Sequence, residues 1–311
     1  MSNGLFTSLP GLAITPDQDD PNPLVIYHGK CPDGFGAALA AWLYFEGRGE
    51  YVGMSHSKET LIEEMPELQD RSVYILDFSF SPEIMTAIDA KARKLVMLDH
   101  HKSAADKLHG FQCRCGVVHF DLTQSGAMLA WKFFHPAKPV PDLIRFIQDR
   151  DLWHWAIPES ASFLSALDLE PNEFARWAEI AAFTPEQVQG FCQRGAAMNE
   201  KFLALSRDIA SSAAPIRFNG QEGLMVNCPG AFSSEVGNQL ALACGSFGLL
   251  WTVSKDGVVK VSLRAVAPFN AIPLAETMGG GGHPQACGFR MGADRLAELL
   301  SGEFNTLPPA A

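Results

Sequence analysis

The run Lys94-Leu95-Val96-Met97-Leu98 stops abruptly at Asp99-His100-His101, and the same design recurs along the chain. Pro23 to Tyr27 runs into His28, Val73 to Leu76 into Asp77, and Val117-Val118-His119-Phe120 into Asp121. Each run is short enough for a strand and too continuous for a strand with one wet face. Between the runs lie helical stretches. Ala37 to Phe45 is rich in Ala and Leu, Ser81-Pro82-Glu83 supplies a cap with Pro in the first turn, and Thr123 to Gly126 leads a helix through Trp131. Strands buried on both faces and alternating with helices predict an α/β domain, a parallel sheet with helices on both faces.

In such a sheet, ligands sit outside the carboxyl ends of the strands. Those ends carry His28, Asp33, Asp77, Asp99, His100 and His101. One Asp after a strand is an ordinary helix cap, and Asp99 alone would read that way. Several carboxylates converging on one edge repel each other unless cations lie between them. Carboxylate and neutral imidazole are the usual ligands of divalent ions, so the pattern points to a metal centre. A further helix is expected over 142–155. Near its end, Asp149 or Asp151 could complete the shell; the other reading is an ion pair with Arg150.

A short acidic helix is expected over 58–70. Residues 172–212 read as all-helical, with Asn172 as one cap and Thr184-Pro185-Glu186 opening a long final helix. From Pro215 the texture changes to short strands at 216–220, 223–226, 248–253 and 258–264, with a helix over 233–243 and a Ser254-Lys255-Asp256-Gly257 hairpin turn. This predicts a smaller α/β domain with a mixed sheet. The expected organisation is a loose lead-in over 1–22, a metal-binding domain over 23–185, a helical linker over 186–213 and a substrate-binding domain over 214–305. Met278 is followed by four glycines and His283. Such a segment is either a flexible loop or a cradle of amides for an anion, and Arg264 with His283 favours the cradle.

Composition narrows the partners. The 311 residues carry a net charge of -11, unlike a protein that tracks long nucleic acid with a basic stripe. A small phosphorylated substrate stays compatible, because bound metal ions reverse the local sign. The seven cysteines are odd in number and scattered, as expected of reduced thiols in a cytoplasmic protein. No apolar stretch has membrane-spanning length and no secretory signal is evident. A homodimer is left open.

On these residues the chain resembles the DHH phosphoesterase family, whose name is the triplet found here at Asp99-His100-His101. The resemblance runs from residue 23 to about 305. It includes the His28–Gly34 loop, Asp77, the Asp149/Asp151 region and the Gly280-Gly281-Gly282-His283 hallmark of the DHH-associated domain, followed by Ala286 and Gly288. Many members carry Asp-x-Asp in the first loop. Matching Asp33-Gly34 places Cys31 where the first aspartate would be; matching Pro32-Asp33-Gly34 instead puts Phe35 at the second. The first alignment keeps Gly34 in place and is preferred.

The resemblance implies two divalent ions, manganese first, with magnesium or cobalt as alternatives. It implies that Asp77 bridges them, and that His28, Asp33, Asp99, His100 and Asp149 or Asp151 share the other positions, with Cys31 open as a ligand. Asp77, Asp99 and His101 are the catalytic candidates. His101, Ser125, Arg264, Gly280, Gly281, Gly282 and His283 are the substrate-binding ones, some holding the substrate across a cleft between the domains. The expected activity is hydrolysis of short oligonucleotides or linear dinucleotides to mononucleotides. The alternatives are a RecJ-like single-strand exonuclease and a non-catalytic nucleotide-binding protein.

Overall fold

The apolar runs form the centre of a five-stranded, all-parallel sheet. A computed structural model describes residues 14–29, 31–55 and 62–306. The chain divides into two units, 1–199 and 200–311. The first contains β1 (Leu24–His28), α1 (Pro32–Tyr44), β2 (Glu50–Met54), β3 (Ser72–Leu76), α2 (Pro82–Lys91), β4 (Lys94–Asp99), α3 (Lys102–Lys107) and β5 (Gly116–Phe120). Then follow α4 (Gly126–Phe134), α5 (Asp142–Asp151), α6 (Ser160–Leu167), α7 (Phe174–Ala181) and α8 (Pro185–Ser211); the division falls inside α8. The strand order is β2-β1-β3-β4-β5.

Alternation along the buried strands builds two cores. Val25, Tyr74, Leu76, Val96 and Leu98 face α1, α4 and α5. Leu24, Ile26, Val73, Ile75, Leu95 and Met97 face the side that holds Met85 and Ile88 of α2. Both faces are therefore covered, which explains why the sequence shows no polar alternation in these runs.

Register fixes the working edge. β1 and β3 pair with Tyr27 opposite Leu76, and β3 and β4 with Leu76 opposite Leu98. One residue further, His28, Asp77 and Asp99 stand in one row, and Asp77 N–H donates to Leu98 O at 2.9 Å.

Some expectations need correction. Of the helix expected over 58–70, the described part, residues 62–70, shows one 3₁₀ turn at Ile62–Glu64, because Pro66 disfavours helix at Met65 and removes a donor; residues 56–61 lie outside the described ones. The lead-in is not loose where it is described. Asp20 is buried against Arg93 at 2.7 Å, and Pro16 and Gln18 carbonyls accept from Tyr44 and Arg48. Residues 1–13 lie outside the described ones. The chain after Asp151 turns rather than continuing as helix.

His135, which ends α4, gives this unit a pH dependence. It is buried beside Trp131 and its Nε2 donates to Ala40 O at 2.9 Å. Burial, helped by Lys138, pushes it down to about 4 despite the bond to Ala40. The unfolded chain therefore binds the proton at higher pH than the folded chain, and stability rises with pH between about 4 and 6.5. We expect His135→Gln to remove about 2–3 kcal/mol of the wild-type rise across that window in urea titrations. Parallel slopes for the two proteins would refute this.

The second unit is a seven-stranded mixed sheet. It contains β6 (Ala214–Phe218), β7 (Gln221–Asn227), α9 (Ser233–Cys244), β8 (Phe247–Val253), β9 (Val258–Ala265), α10 (Ile272–Glu276), β10 (Gly281–His283), β11 (Ala286–Gly292), α11 (Leu296–Leu300) and β12 (Glu303–Phe304). The strand order is β10-β11-β9-β8-β7-β6-β12. Phe218, Phe247, Leu249, Leu263, Phe289 and Phe304 fill its core. Among the described residues, no helix is long and apolar enough to cross a membrane.

Candidate metal centre

Asp77 is the hinge of the site. It is buried, sits just past the end of β3, and takes a left-handed backbone, φ 52°, that Asp tolerates and most residues do not. Its two carboxylate oxygens face different partners. Oδ2 lies 3.3 Å from Cys31 Sγ and 3.7 Å from His28 Nδ1, while Oδ1 lies 3.2 Å from His100 Nε2. His100 Nε2 is also 3.5 Å from Asp33 Oδ2 and 3.5 Å from Asp151 Oδ2. Two donor sets thus meet at Asp77. His28, Cys31 and Asp77 form one; Asp33, His100 and Asp151 form the other.

Asp99 joins through the histidines. Its Oδ1 accepts from His100 N–H at 2.7 Å and from His101 Nδ1 at 2.6 Å. Its Oδ2 is buried with no hydrogen bond among the described residues. A buried carboxylate oxygen left bare is costly without a cation, and Asp77 Oδ1, also buried, likewise makes no hydrogen bond of good geometry. The donor set fits a divalent ion.

The charges confirm how crowded the edge is. Burial, with Asp151 and Asp77 as like-charged neighbours, pushes Asp33 well above the usual carboxylate range. Burial would raise Asp77 too, but the imidazoles of His100 and His28 close to its two oxygens hold it well below that range. His100 is pushed up to about 10: burial opposes its charge, and Asp77, Asp33 and Asp151 outweigh it. His101 rises to about 9 against its burial, through Asp99. Without an ion, protons on the histidines balance the carboxylates; an ion would replace them.

Helix starts and glycines hold this geometry. Cys31 caps α1, its Sγ accepting from Gly34 N–H at 3.2 Å. Asp33 Oδ2 and Oδ1 accept from Gly126 and Ala127 N–H, at 2.6 and 3.0 Å, so the start of α4 fixes its carboxylate. A Cβ on Gly126 would fall 2.4 Å from Asp77 Cβ, and one on Gly34 2.2 Å from His28 O. These two glycines are positional requirements that spacing arguments do not reveal.

Two expected site residues are not brought together with the rest. Asp149 is buried, and its carboxylate accepts from Ala156 and Ile157 N–H at 2.9 and 3.1 Å. Its carbonyl accepts from His154 and Trp155 N–H, so Asp149 builds the turn after Asp151. Residues two apart on a helix face different ways, and only Asp151 joins the donor set. Ser125 is fully buried, and its Oγ accepts from Met128 N–H as the cap of α4, so it presents no surface to a substrate.

In the second unit, Arg264 on β9 donates to Leu263 O at 3.0 Å and Ser234 Oγ at 3.1 Å, and burial lowers its basicity. The glycine segment is not a loop throughout: Gly281–His283 is an edge strand paired with β11. A Cβ on Gly280 would meet Gly288 O at 2.1 Å, and Gly282 has φ 139°. Part of the glycine requirement is thus close strand pairing.

Three comparisons bear on identity. Residues 238–302 match the DHHA1 domain model. An uncharacterized protein of Acanthamoeba polyphaga mimivirus is 28% identical over 288 residues, covering 85% of this chain and 66% of that protein. RecJ of Thermus thermophilus, solved with Mn2+, superposes with a TM-score of 0.52 at 15% identity, covering 94% of this chain and 55% of RecJ. CDC45 of Entamoeba histolytica gives 0.50 at 9% identity, covering 92% and 95%. The chain thus spans about two thirds of the viral relative and just over half of RecJ. The fold is that of these structures, residues 238–302 match the DHHA1 domain, and Asp99-His100-His101 stands at the carboxyl edge of the first unit's sheet: the chain has the fold, and at these positions the residues, on which it resembles the DHH phosphoesterase family.

Proposed function

We propose that the chain is a divalent-metal-dependent phosphodiesterase that hydrolyses short oligonucleotides or linear dinucleotides to mononucleotides. The observation that carries this reading is Asp77, with one buried oxygen turned to each donor set. That is the disposition of a carboxylate shared by two ions. His28 and Cys31 would hold one ion with Asp77. Asp33, His100 and Asp151 would hold the other, with Asp99 Oδ2 the further bare oxygen. Manganese is the proposed ion of the Asp33–His100–Asp151 set. When bound, a pair of divalent ions activates water and stabilises the attacking and leaving oxygens of an in-line displacement.

The chain's own residues orient the rest. Asp99 fixes the orientation of the His101 ring through Nδ1, and an imidazole held in this way is suited to donate to a scissile phosphate. His101 is therefore a proposed substrate contact and Asp99 a positioning residue. In the second unit, Arg264, the Gly280–Gly282 amides and His283 are proposed to bind an anionic group. The protein is proposed to be cytoplasmic.

Net charge supports a short substrate, since -11 gives an extended phosphate backbone little counterion release. A panel of di- to decanucleotides and cyclic dinucleotides, assayed with manganese, tests this. We expect kcat/KM to fall at least about 10-fold between dinucleotide and decanucleotide, roughly 1.4 kcal/mol. A rise with length would make the protein a RecJ-like exonuclease. Binding without turnover under any divalent ion would make it a nucleotide-binding protein.

A further inference from the structure

The two donor sets at Asp77 differ in chemistry. Asp33, His100 and Asp151 offer two carboxylates and one imidazole. His28, Cys31 and Asp77 offer one nitrogen, one sulfur and one oxygen. Their separations are 3.1 Å from His28 Nδ1 to Cys31 Sγ, 3.3 Å from Cys31 Sγ to Asp77 Oδ2 and 3.7 Å from His28 Nδ1 to Asp77 Oδ2. Metal–ligand bonds of about 2.0–2.3 Å in a tetrahedron give ligand–ligand edges of roughly 3.3–3.8 Å. The three donors already stand at about that spacing.

Sulfur decides which ion suits them. Manganese and magnesium seek oxygen, whereas zinc and its borderline neighbours accept thiolate readily. Without an ion, burial and the carboxylates of Asp77, Asp33 and Asp151 push the Cys31 thiol well above its usual range, against the Gly34 N–H that it accepts as the cap of α1; a bound cation reverses that balance and deprotonates a coordinating thiol. A cap alone does not explain Cys31: Ser, Asp or Asn caps better.

We propose that the His28–Cys31–Asp77 set is a thiolate subsite selective for a borderline-soft divalent ion of the zinc and cobalt class, leaving the Asp33–His100–Asp151 set to the harder ion. This rests on the metal-centre reading above. Binding replaces the Cys31 S–H bond with a sulfur–metal bond and releases one proton to solvent per ion.

Cobalt(II) provides a readout independent of activity. Metal-free full-length protein is titrated with cobalt(II) under anaerobic conditions, followed by absorbance and by calorimetry. The expected result is a near-ultraviolet thiolate-to-cobalt charge-transfer band that saturates as one thiolate site per chain. Cys31→Asp should lose the band while still binding cobalt, and its preference for zinc over manganese should drop by at least about 100-fold, the upper range for tuning of metal affinity by surrounding groups. Cys31→Ser serves the same purpose should the aspartate disturb folding. A Cys113→Ser/Cys115→Ser variant should keep the band, separating Cys31 from the two thiols that stand close together in sequence at 113 and 115. Cobalt bound by the wild type without the band, or a band that survives both Cys31 variants, overturns the thiolate subsite and leaves the metal centre standing. No cobalt bound at all overturns the metal centre as well.

Discussion

Asp77→Asn is expected to lower kcat/KM on a dinucleotide with manganese by at least about 10,000-fold, near 5.5 kcal/mol of transition-state stabilisation. Asparagine keeps the volume and tolerates the left-handed backbone that Asp77 adopts, so the fold should survive. It removes the charge that faces both donor sets at once. Bound metal, measured by elemental analysis after gel filtration, should fall in parallel with activity, and chelated wild type should be equally inactive. Turnover that persists in the variant would remove Asp77 from the centre of the site.

The second large effect concerns a residue with no side chain. A methyl group on Gly126 would stand 2.4 Å from Asp77 Cβ and 2.8 Å from its Oδ1. Real atoms do not approach so closely, so either α4 or the Asp77 carboxylate must shift. Gly126→Ala is expected to cost about 1–3 kcal/mol of stability and roughly 100-fold in kcat/KM, as displaced catalytic groups do. Gly190→Ala is the control: this glycine lies within α8 with nothing within 4 Å of its missing Cβ, and alanine there should stabilise by about 0.5–1 kcal/mol. If both substitutions behave alike, contact with Asp77 is not what Gly126 provides.

Much of the architecture was legible because burial on two faces writes itself as continuous apolar runs. Leu24 to Tyr27, Val73 to Leu76 and Leu95 to Leu98 announce central strands, and their ends announce the edge where His28, Asp77 and Asp99 align. The edge strand Glu50–Met54 was not legible, since only half its surroundings are protein and its residues are mixed. The acidic segment before Pro66 carried a helical composition that the proline overrules. Asp149 and Asp151 were indistinguishable as letters. Helix geometry separates them, turning one toward His100 and the other onto the backbone of Ala156 and Ile157. The roles of Gly34 and Gly126 depend on approaches between segments far apart in sequence, which no spacing rule contains. The Gly280–Gly282 run pointed to a ligand cradle, whereas its local conformation answers first to the neighbouring strand.

The two oxygens of Asp33 carry a consequence for anyone who needs an inert version of this protein. Both are committed to the amides that begin α4, while Oδ2 also faces His100. A knockout made at Asp33 would therefore be ambiguous in a cell, since lost abundance and lost chemistry would look the same. Asp151 offers a cleaner handle. Its side chain is 30% exposed and contributes to the site through its approach to His100, so an allele altered there can remain a full-length, normally abundant decoy.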